Sequence, residues 1–264
     1  MPFRDQIAWI TGASSGIGEA LAVELARQGA ILVLSARREE ELKRVADRTG
    51  LSPDRYLILP LDMTRPDDFP GAVAAVLNRF QRIDYLFQNA GITQRGLTAE
   101  TELSVYRRLM ELNFFGVVGL TKAVLPAMLA TRKGHFIVTS SVAGKVGIRL
   151  RSGYCASKHA LHGFFDALRA ETHAQGLRVT LICPGYIKTP ISLHALDAQG
   201  NRHDRMDENQ ARGMAPEACA RAILRAVAAN KEEAYIGGKE IAGIYLKRFF
   251  PGLLSRVVRS MRGA

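Results

Sequence analysis

Tyr154 and Lys158 stand four residues apart, a spacing that puts both side chains on one face of a helix. An isolated tyrosine ionises near pH 10 and is a poor base at neutrality. An ammonium beside it favours the phenolate and pulls that value down. Such a pair can exchange a proton with an alcohol or carbonyl oxygen. At this spacing a Tyr/Lys pair is ordinarily a surface contact, so its chemistry depends on what else the chain brings to it.

A second chemical signal lies near the start. The run Thr11-Gly12-Ala13-Ser14-Ser15-Gly16-Ile17-Gly18 joins an apolar stretch, Ile7–Thr11, to a helix-period stretch with Ile17, Leu21 and Leu25 four apart. Gly12 can take the sharp turn, Gly16 lets the backbone approach a pyrophosphate, and Gly18 allows close packing of helix on strand. The free N–H groups at the helix start then face phosphate. A lone glycine triplet is weak evidence. Here it lies in a strand, turn, helix, strand context, which gives the motif its meaning. The next apolar run ends Leu34-Ser35-Ala36-Arg37-Arg38, with no acid before Glu39. An NAD site usually places an acid there for the ribose 2′-hydroxyl. Arg37, with Arg38 beside it, can instead pair with a 2′-phosphate, which favours NADP(H). The plainer alternative for both arginines is solvated charge at a helix start.

The elements that must position these groups follow from the hydrophobic pattern. Apolar runs at 7–11, 31–34, 57–61, 83–87, 136–139 and 179–182 read as strands, with a weak seventh at 234–236. Helix-period segments separate them. This alternation predicts an α/β fold: a single Rossmann-like, doubly wound parallel sheet of about seven strands with helices on both faces. Residues 1–238 read as one dinucleotide-binding catalytic domain. Within it, the polar and poorly periodic stretch 191–213 reads as a mobile loop or lid.

Residues 239–264 read as a basic amphipathic helical extension of that domain, carrying Lys239, Lys247, Arg248, Arg256, Arg259 and Arg262 against Glu240. Leu253, Leu254, Val257, Val258 and Met261 recur at helical spacing after Pro251-Gly252, behind an earlier helix with Ile241, Ile244, Tyr245 and Phe249. The expectation is that this extension borders the cleft and also rests reversibly on anionic membrane through 253–262.

Hydrophobic residues make up 47% of the 264 and charged residues 23%, which excludes general disorder. The net charge of +11 favours acidic partners. No recognition helix or interleaved aromatics accompany it, so nucleic acid is not expected. Cys155, Cys183 and Cys219 are too few and scattered for a disulfide framework. No Cys/His spacing marks a metal site, and the pattern fits a reducing, cytoplasmic location. No run of about 18 apolar residues points to a membrane-spanning helix, and residues 1–6 lack the apolar core of a signal peptide.

Taken in order, the motifs resemble those of a short-chain dehydrogenase/reductase. The glycine turn has that family's TGxxxGxG form. It is followed by Asn89-Ala90-Gly91, Asn113, Ser140-Ser141, Tyr154-x-x-x-Lys158, and Pro184-Gly185 with Thr189. The similarity runs from residue 7 to about residue 237, and the stretch SSVAGKVGIRLRSGYCASKHAL is similar to the hydroxysteroid-dehydrogenase-like and dehydrogenase/reductase-member branch. The resemblance implies hydride transfer between NADP(H) and a secondary alcohol or ketone. Tyr154 would be the general acid/base, Lys158 would also hold the nicotinamide ribose, Ser141 the substrate oxygen, and Asn113 a water chain to solvent.

Implied cofactor contacts are Gly12, Ser14, Ser15, Gly16, Ile17 and Gly18 at the turn, and Asp62 and Met63 about the adenine. Asn89, Ala90, Gly91, Pro184, Gly185 and Ile187 join them, with Thr189 on the nicotinamide amide. Ser15 stands where NADP-using relatives often carry Lys or Arg, which leaves the selection to Arg37 and Arg38. The resemblance also implies a homodimer or homotetramer built on the helix from Leu103 to Ala130 and on the Tyr154 helix, whose Leu161, Phe164, Phe165 and Leu168 exceed what one face needs. Gly144, Val146, Ile148, Leu150, Tyr186, Ile191 and Leu193 read as an apolar wall for a lipid-like, steroid or aromatic carbonyl. The competing reading is an NADP-binding sensor or scaffold without turnover, and the intact Ser/Tyr/Lys/Asn set argues against it.

Overall fold

The computed structural model describes residues 2–260. The apolar runs become strands β1 (Ile7–Thr11), β2 (Ile31–Ser35), β3 (Tyr56–Ile58), β4 (Tyr85–Gln88), β5 (Gly134–Thr139), β6 (Leu177–Pro184) and β7 (Glu233–Ile236). They form one parallel sheet in the order β3-β2-β1-β4-β5-β6-β7. The third strand is shorter than its apolar run, although Leu59 and Leu61 still donate backbone bonds to Leu34 and Ala36. Helices cover both faces, which is why β1 is buried throughout.

The helices are α1 (Gly16–Arg27), α2 (Glu39–Thr49), α3 (Phe69–Phe80), α4 (Leu103–Met110), α5 (Gly116–Thr131), α6 (Ser152–Thr172), α7 (Glu208–Ala211), α8 (Pro216–Ala228), α9 (Ala242–Phe249) and α10 (Pro251–Ser260). On one face α1, α2 and α8 pack Leu21, Leu25, Val45 and Ile223 against Ile10 and Leu32. On the other, α3, α5 and α6 pack Val76, Leu120 and Phe165 against Trp9, Val138 and Leu181. The chain winds one way from β1 to β3 and the other way from β4 onward. A crevice therefore opens at the carboxyl ends of β1 and β4, where ligands of such sheets bind.

Helices α4 and α5 run on through a π-helical turn at Glu111–Phe115. The continuous helix Leu103–Thr131 contains an 18-residue window of mean hydropathy 1.6, of which 33% is buried. This corrects the sequence expectation: by length and composition the helix could cross a bilayer. Its buried positions Val117, Leu120, Val124 and Met128 recur every three or four residues against the sheet, as in a core helix.

The C-terminal stripe divides. Leu254 and Val258 turn inward onto Val142, Val146 and Ile244, while Tyr245, Phe249, Phe250 and Leu253 are exposed. Met261 and Arg262, read as part of that helix, lie outside the described residues.

The stretch 191–213 is tied to the fold at Asp207 and Gln210. Asp207 is buried, and its Oδ2 accepts from Arg151 at 2.7 Å and also from Arg95. Its Oδ1 caps α7 through the N–H groups of Asn209 (2.9 Å) and Gln210 (3.2 Å). Gln210 Nε2 in turn donates to the Ile187 carbonyl at 2.5 Å and to Thr189 Oγ1 at 3.2 Å. Asp207 and Gln210 are thus satisfied inside the fold.

Burial raises the Asp207 carboxyl, but the Gln210 N–H and the two guanidinium groups hold it below the usual carboxylate range. The clasp is therefore intact above about pH 4, the ordinary aspartate value, and is lost as pH falls through the lower native value. Asp207→Asn should cost about 3–5 kcal/mol locally, because it leaves two buried cations without their anion. In hydrogen exchange at neutral pH, amides of 193–213 should then lose protection while those of β1 and β4 keep theirs; unchanged protection of the lid would contradict the clasp.

Candidate active site

The glycine turn is shaped by what it touches. Gly12 has φ +66°, and a Cβ there would lie 2.9 Å from Ala90 Cα. A Cβ on Gly18 would lie 2.2 Å from the Gly12 carbonyl oxygen and 2.7 Å from Asn89 Nδ2. Gly18 therefore serves packing and does not line the cleft. Asn89 Nδ2 donates to the Gly12 carbonyl at 3.4 Å, and Asn89 Oδ1 accepts from Thr139 Oγ1 at 3.5 Å. The sequence reading passed over Thr11. Its Oγ1 accepts the N–H groups of Asn89 (3.1 Å) and Ala90 (3.2 Å), tying β1 to the loop after β4. The available signal was a hydroxyl at a strand end directly before the turn.

A cleft of about 510 Å³ crosses the carboxyl ends of the strands. Gly12, Ser14, Ser15, Gly16, Ile17, Arg37, Arg38, Asp62, Met63, Asn89, Ala90 and Gly91 line it. Ser141, Tyr154, Lys158, Pro184, Gly185, Ile187 and Thr189 line it too. Ser15 at the N-cap of α1 makes no side-chain cap, which leaves the first N–H groups of that helix open to an anion. Arg37 and Arg38 are exposed at the same end. The Asp62 carboxylate accepts from Thr64 N (2.9 Å) and Oγ1 (2.8 Å), a local turn rather than a helix cap. The residues present thus fit a dinucleotide, with phosphate-facing N–H groups and cations at one end and ionisable groups at the other.

That second end holds Tyr154 and Lys158, both on α6 and both buried. Lys158 Nζ donates to the Thr139 carbonyl at 2.8 Å and lies 5.9 Å from the centre of the Tyr154 ring. Burial lowers the lysine to about 8. Burial also pushes the Tyr154 phenol up, against the pull of the Ser141 hydroxyl and the Arg151 charge. Ser141 is itself held in place: its Oγ accepts from Ala143 N at 3.1 Å and donates to the Pro184 carbonyl at 3.3 Å.

Asn113 sits in the π-helical turn, fully buried and outside the cleft wall. Its Oδ1 accepts from Ile92 N (2.9 Å), and its Nδ2 donates to the Ile92 carbonyl (2.9 Å) and Ser157 Oγ (3.0 Å). The Asn113 side chain is therefore a strut under α6. A Cβ on Gly91 would lie 3.3 Å from Asn113 Oδ1 and 3.5 Å from Lys158 Nζ, so both groups converge on one small space.

The substrate end differs from the apolar wall read in the sequence. Ile148, Tyr186 and Ile191 line the cleft, together with Val142, Ala143 and Leu196. Val146 turns away to the C-terminal cluster, and Gly144 packs on Ser140 and the Lys158 backbone. Leu150 and Leu193 are not in the wall, which instead includes Arg108, Arg151, His194, Arg202, Gln210 and Glu240.

With this geometry in hand, the comparisons with known proteins are specific. Residues 6–199 match the short chain dehydrogenase family. The Homo sapiens protein "Dehydrogenase/reductase SDR family member 7" is 41% identical over 253 residues, covering 94% of this chain and 75% of its own. The Bos taurus "Dehydrogenase/reductase SDR family member 7B" is 39% identical over 264 residues, covering 97% and 81%. Two solved structures share the fold at 24% identity. One is a Burkholderia phymatum enzyme in complex with NAD (TM-score 0.84, 96% of each chain). The other is a Burkholderia cenocepacia enzyme in complex with NADP (TM-score 0.82, 99% and 100%). By sequence, fold and site, the chain belongs to the short-chain dehydrogenase/reductase family of oxidoreductases, whose fold binds a nicotinamide cofactor.

Proposed function

We propose that the protein reduces a ketone, or oxidises the matching secondary alcohol, with NADP(H), and that Tyr154 moves the proton. The observation that carries this reading is the joint presence of Tyr154, Lys158 and Ser141 in the wall of one cleft. When bound, the nicotinamide supplies or accepts the hydride. The Ser141 hydroxyl holds the substrate oxygen. The Tyr154 hydroxyl gives that oxygen its proton in reduction and takes it back in oxidation. Lys158, when charged, stabilises the phenolate that remains. Asn113 and Ser157 fix the turn of α6 that presents both groups.

The preference for NADP(H) rests on Arg37 and Arg38 at the cleft edge and on the lack of an acid at the end of β2. A charge-assisted contact of roughly 1.5–3 kcal/mol corresponds to at least about tenfold in affinity. Fluorescence titration should show NADPH binding tighter than NADH by that factor, with Arg37→Asp reversing the order. A panel of apolar ketones and aldehydes, followed by NADPH oxidation, should contain at least one substrate. Equal affinities would overturn the cofactor preference, and a panel without turnover would favour the sensor reading.

We also propose a homo-oligomer built on α4, α5 and α6. Leu161, Phe165 and Leu168 belong to the chain's own core, so they do not carry this reading. Phe114, Phe115 and Phe164 do: Phe115 is 53% exposed, with edge-on ring contacts at 5.2 Å (Phe114–Phe115) and 6.3 Å (Phe114–Phe164). Light scattering at micromolar concentration should give a dimer or tetramer, and Phe115→Asp should dissociate it; a monomeric wild type would contradict the reading.

The outward face of α9 and α10 supports reversible contact with anionic membrane from the cytoplasmic side. Tyr245, Phe249, Phe250 and Leu253 are 51–68% exposed, and Lys247, Arg248, Arg256 and Arg259 lie on the same two helices. Near anionic lipid each such cation contributes about 1 kcal/mol. Truncation would uncover Val142 and Val146, so Phe249→Ser with Phe250→Ser is the cleaner test. The wild type should co-sediment with anionic liposomes in a salt-sensitive way and the double variant should not. Equal sedimentation of the two proteins, or none of the wild type, would refute the contact.

A further inference from the structure

Sequence spacing pointed to no metal-ligand set, yet the fold brings His162 of α6, Cys183 of β6 and Glu233 of β7 together behind the active site. Their ligand atoms all lie within 4.8 Å of one another. Cys183 Sγ is 3.5 Å from Glu233 Oε1, and His162 Nδ1 is 3.8 Å from Glu233 Oε1. A tetrahedral zinc with bonds of about 2.0–2.3 Å sets its ligand atoms roughly 3.5 Å apart.

Ser140 Oγ lies 3.1 Å from the Lys158 carbonyl and 3.0 Å from His162 Nε2, so the Nε2 edge of the ring is engaged. Nδ1 is buried and has no hydrogen-bond partner, and the side chain that carries it is only 10% exposed. It faces the Glu233 carboxylate. Glu233 is meanwhile held by Lys145 at 2.8 Å through Oε1 and at 3.1 Å through Oε2. The Oε2 contact can persist while Oε1 turns to another partner.

We propose that His162 Nδ1, Cys183 Sγ and Glu233 Oε1 form a binding site for one zinc-like divalent cation, with a fourth position open to water. A thiolate, an imidazole and a carboxylate together suit a borderline-soft ion and disfavour magnesium and calcium, which take oxygen ligands. Binding breaks the Cys183 S–H bond, forms the metal–sulfur bond and releases the proton to solvent. Glu233 is 28% exposed, which gives the ion a way in. The bound ion would join α6, β6 and edge strand β7. Its histidine would be oriented by Ser140, the residue that also holds the Lys158 carbonyl.

The test is a titration of cobalt(II) into the chelator-treated, desalted full chain, read by thiolate-to-cobalt charge-transfer absorption. Saturation at one equivalent is expected. Zinc should displace the cobalt and magnesium should not, and zinc alone should raise the melting temperature. Cys183→Ala should abolish the band, and Cys219→Ala should leave it. Glu233→Gln keeps the side-chain shape and should weaken binding at least about tenfold, so the proposal stays testable if Cys183→Ala does not fold. A band that fails to saturate at one equivalent, that survives Cys183→Ala, or that keeps its affinity in Glu233→Gln would overturn it.

Discussion

An amine buried without a carboxylate beside it is the constraint on which the rest of the site depends. Lys158 is 4% exposed and bonds the Thr139 carbonyl. Burial brings it from its ordinary 10.5 to about 8. The native state releases the proton that the unfolded chain still holds. The penalty, on the order of 3 kcal/mol, is therefore present in full below pH 8 and fades as pH rises towards 10.5. The surrounding bonds hold that turn of α6 in place. Ser140 binds the Lys158 carbonyl, Asn113 binds Ser157, and Gln94 Oε1 accepts from Gly153 N at 2.9 Å. Stability is thus given up at one ammonium beside Tyr154, and perturbed groups of this kind cluster at functional sites.

The geometry of the candidate site was legible in the sequence where it is local. Tyr154 and Lys158 share a helix face by spacing alone, and the glycine turn sits between its strand and helix as read. The strands were legible because a sheet covered on both faces must be apolar on both. What escaped depends on distant partners. Nothing around Asn113 marks a π-helical turn, and nothing in 191–213 marks Asp207 as the anchor for Arg95 and Arg151, more than 50 residues away along the chain. Among Leu161, Phe164, Phe165 and Leu168 the sequence could not say which face the core would take, and the core took three of the four. In the final helix only the packing on Val142 and Val146 shows which leucine is buried.

These parts share one mechanical route. The turn after β1 is fixed to the loop after β4 by Thr11 and Asn89. That loop reaches Asn113 through Ile92 and α6 through Gln94. The lid joins the same frame at Arg151, one residue before α6 begins, and at Thr189 beside the glycine turn. The glycine turn, α6 and the stretch 191–213 are thus positioned by a single set of strand ends, which is the advantage of building a site where the winding of the sheet reverses.

The central claim is that one phenolic hydroxyl carries the proton. Tyr154→Phe removes only that oxygen and leaves the ring, the lysine and the cleft in place. The direct measurement compares NADPH affinity and carbonyl turnover of this variant with the wild type across pH. The account predicts affinity within a few-fold and turnover below a few per cent at every pH. Turnover well above that level at any pH, with the variant folded and binding cofactor, would contradict it.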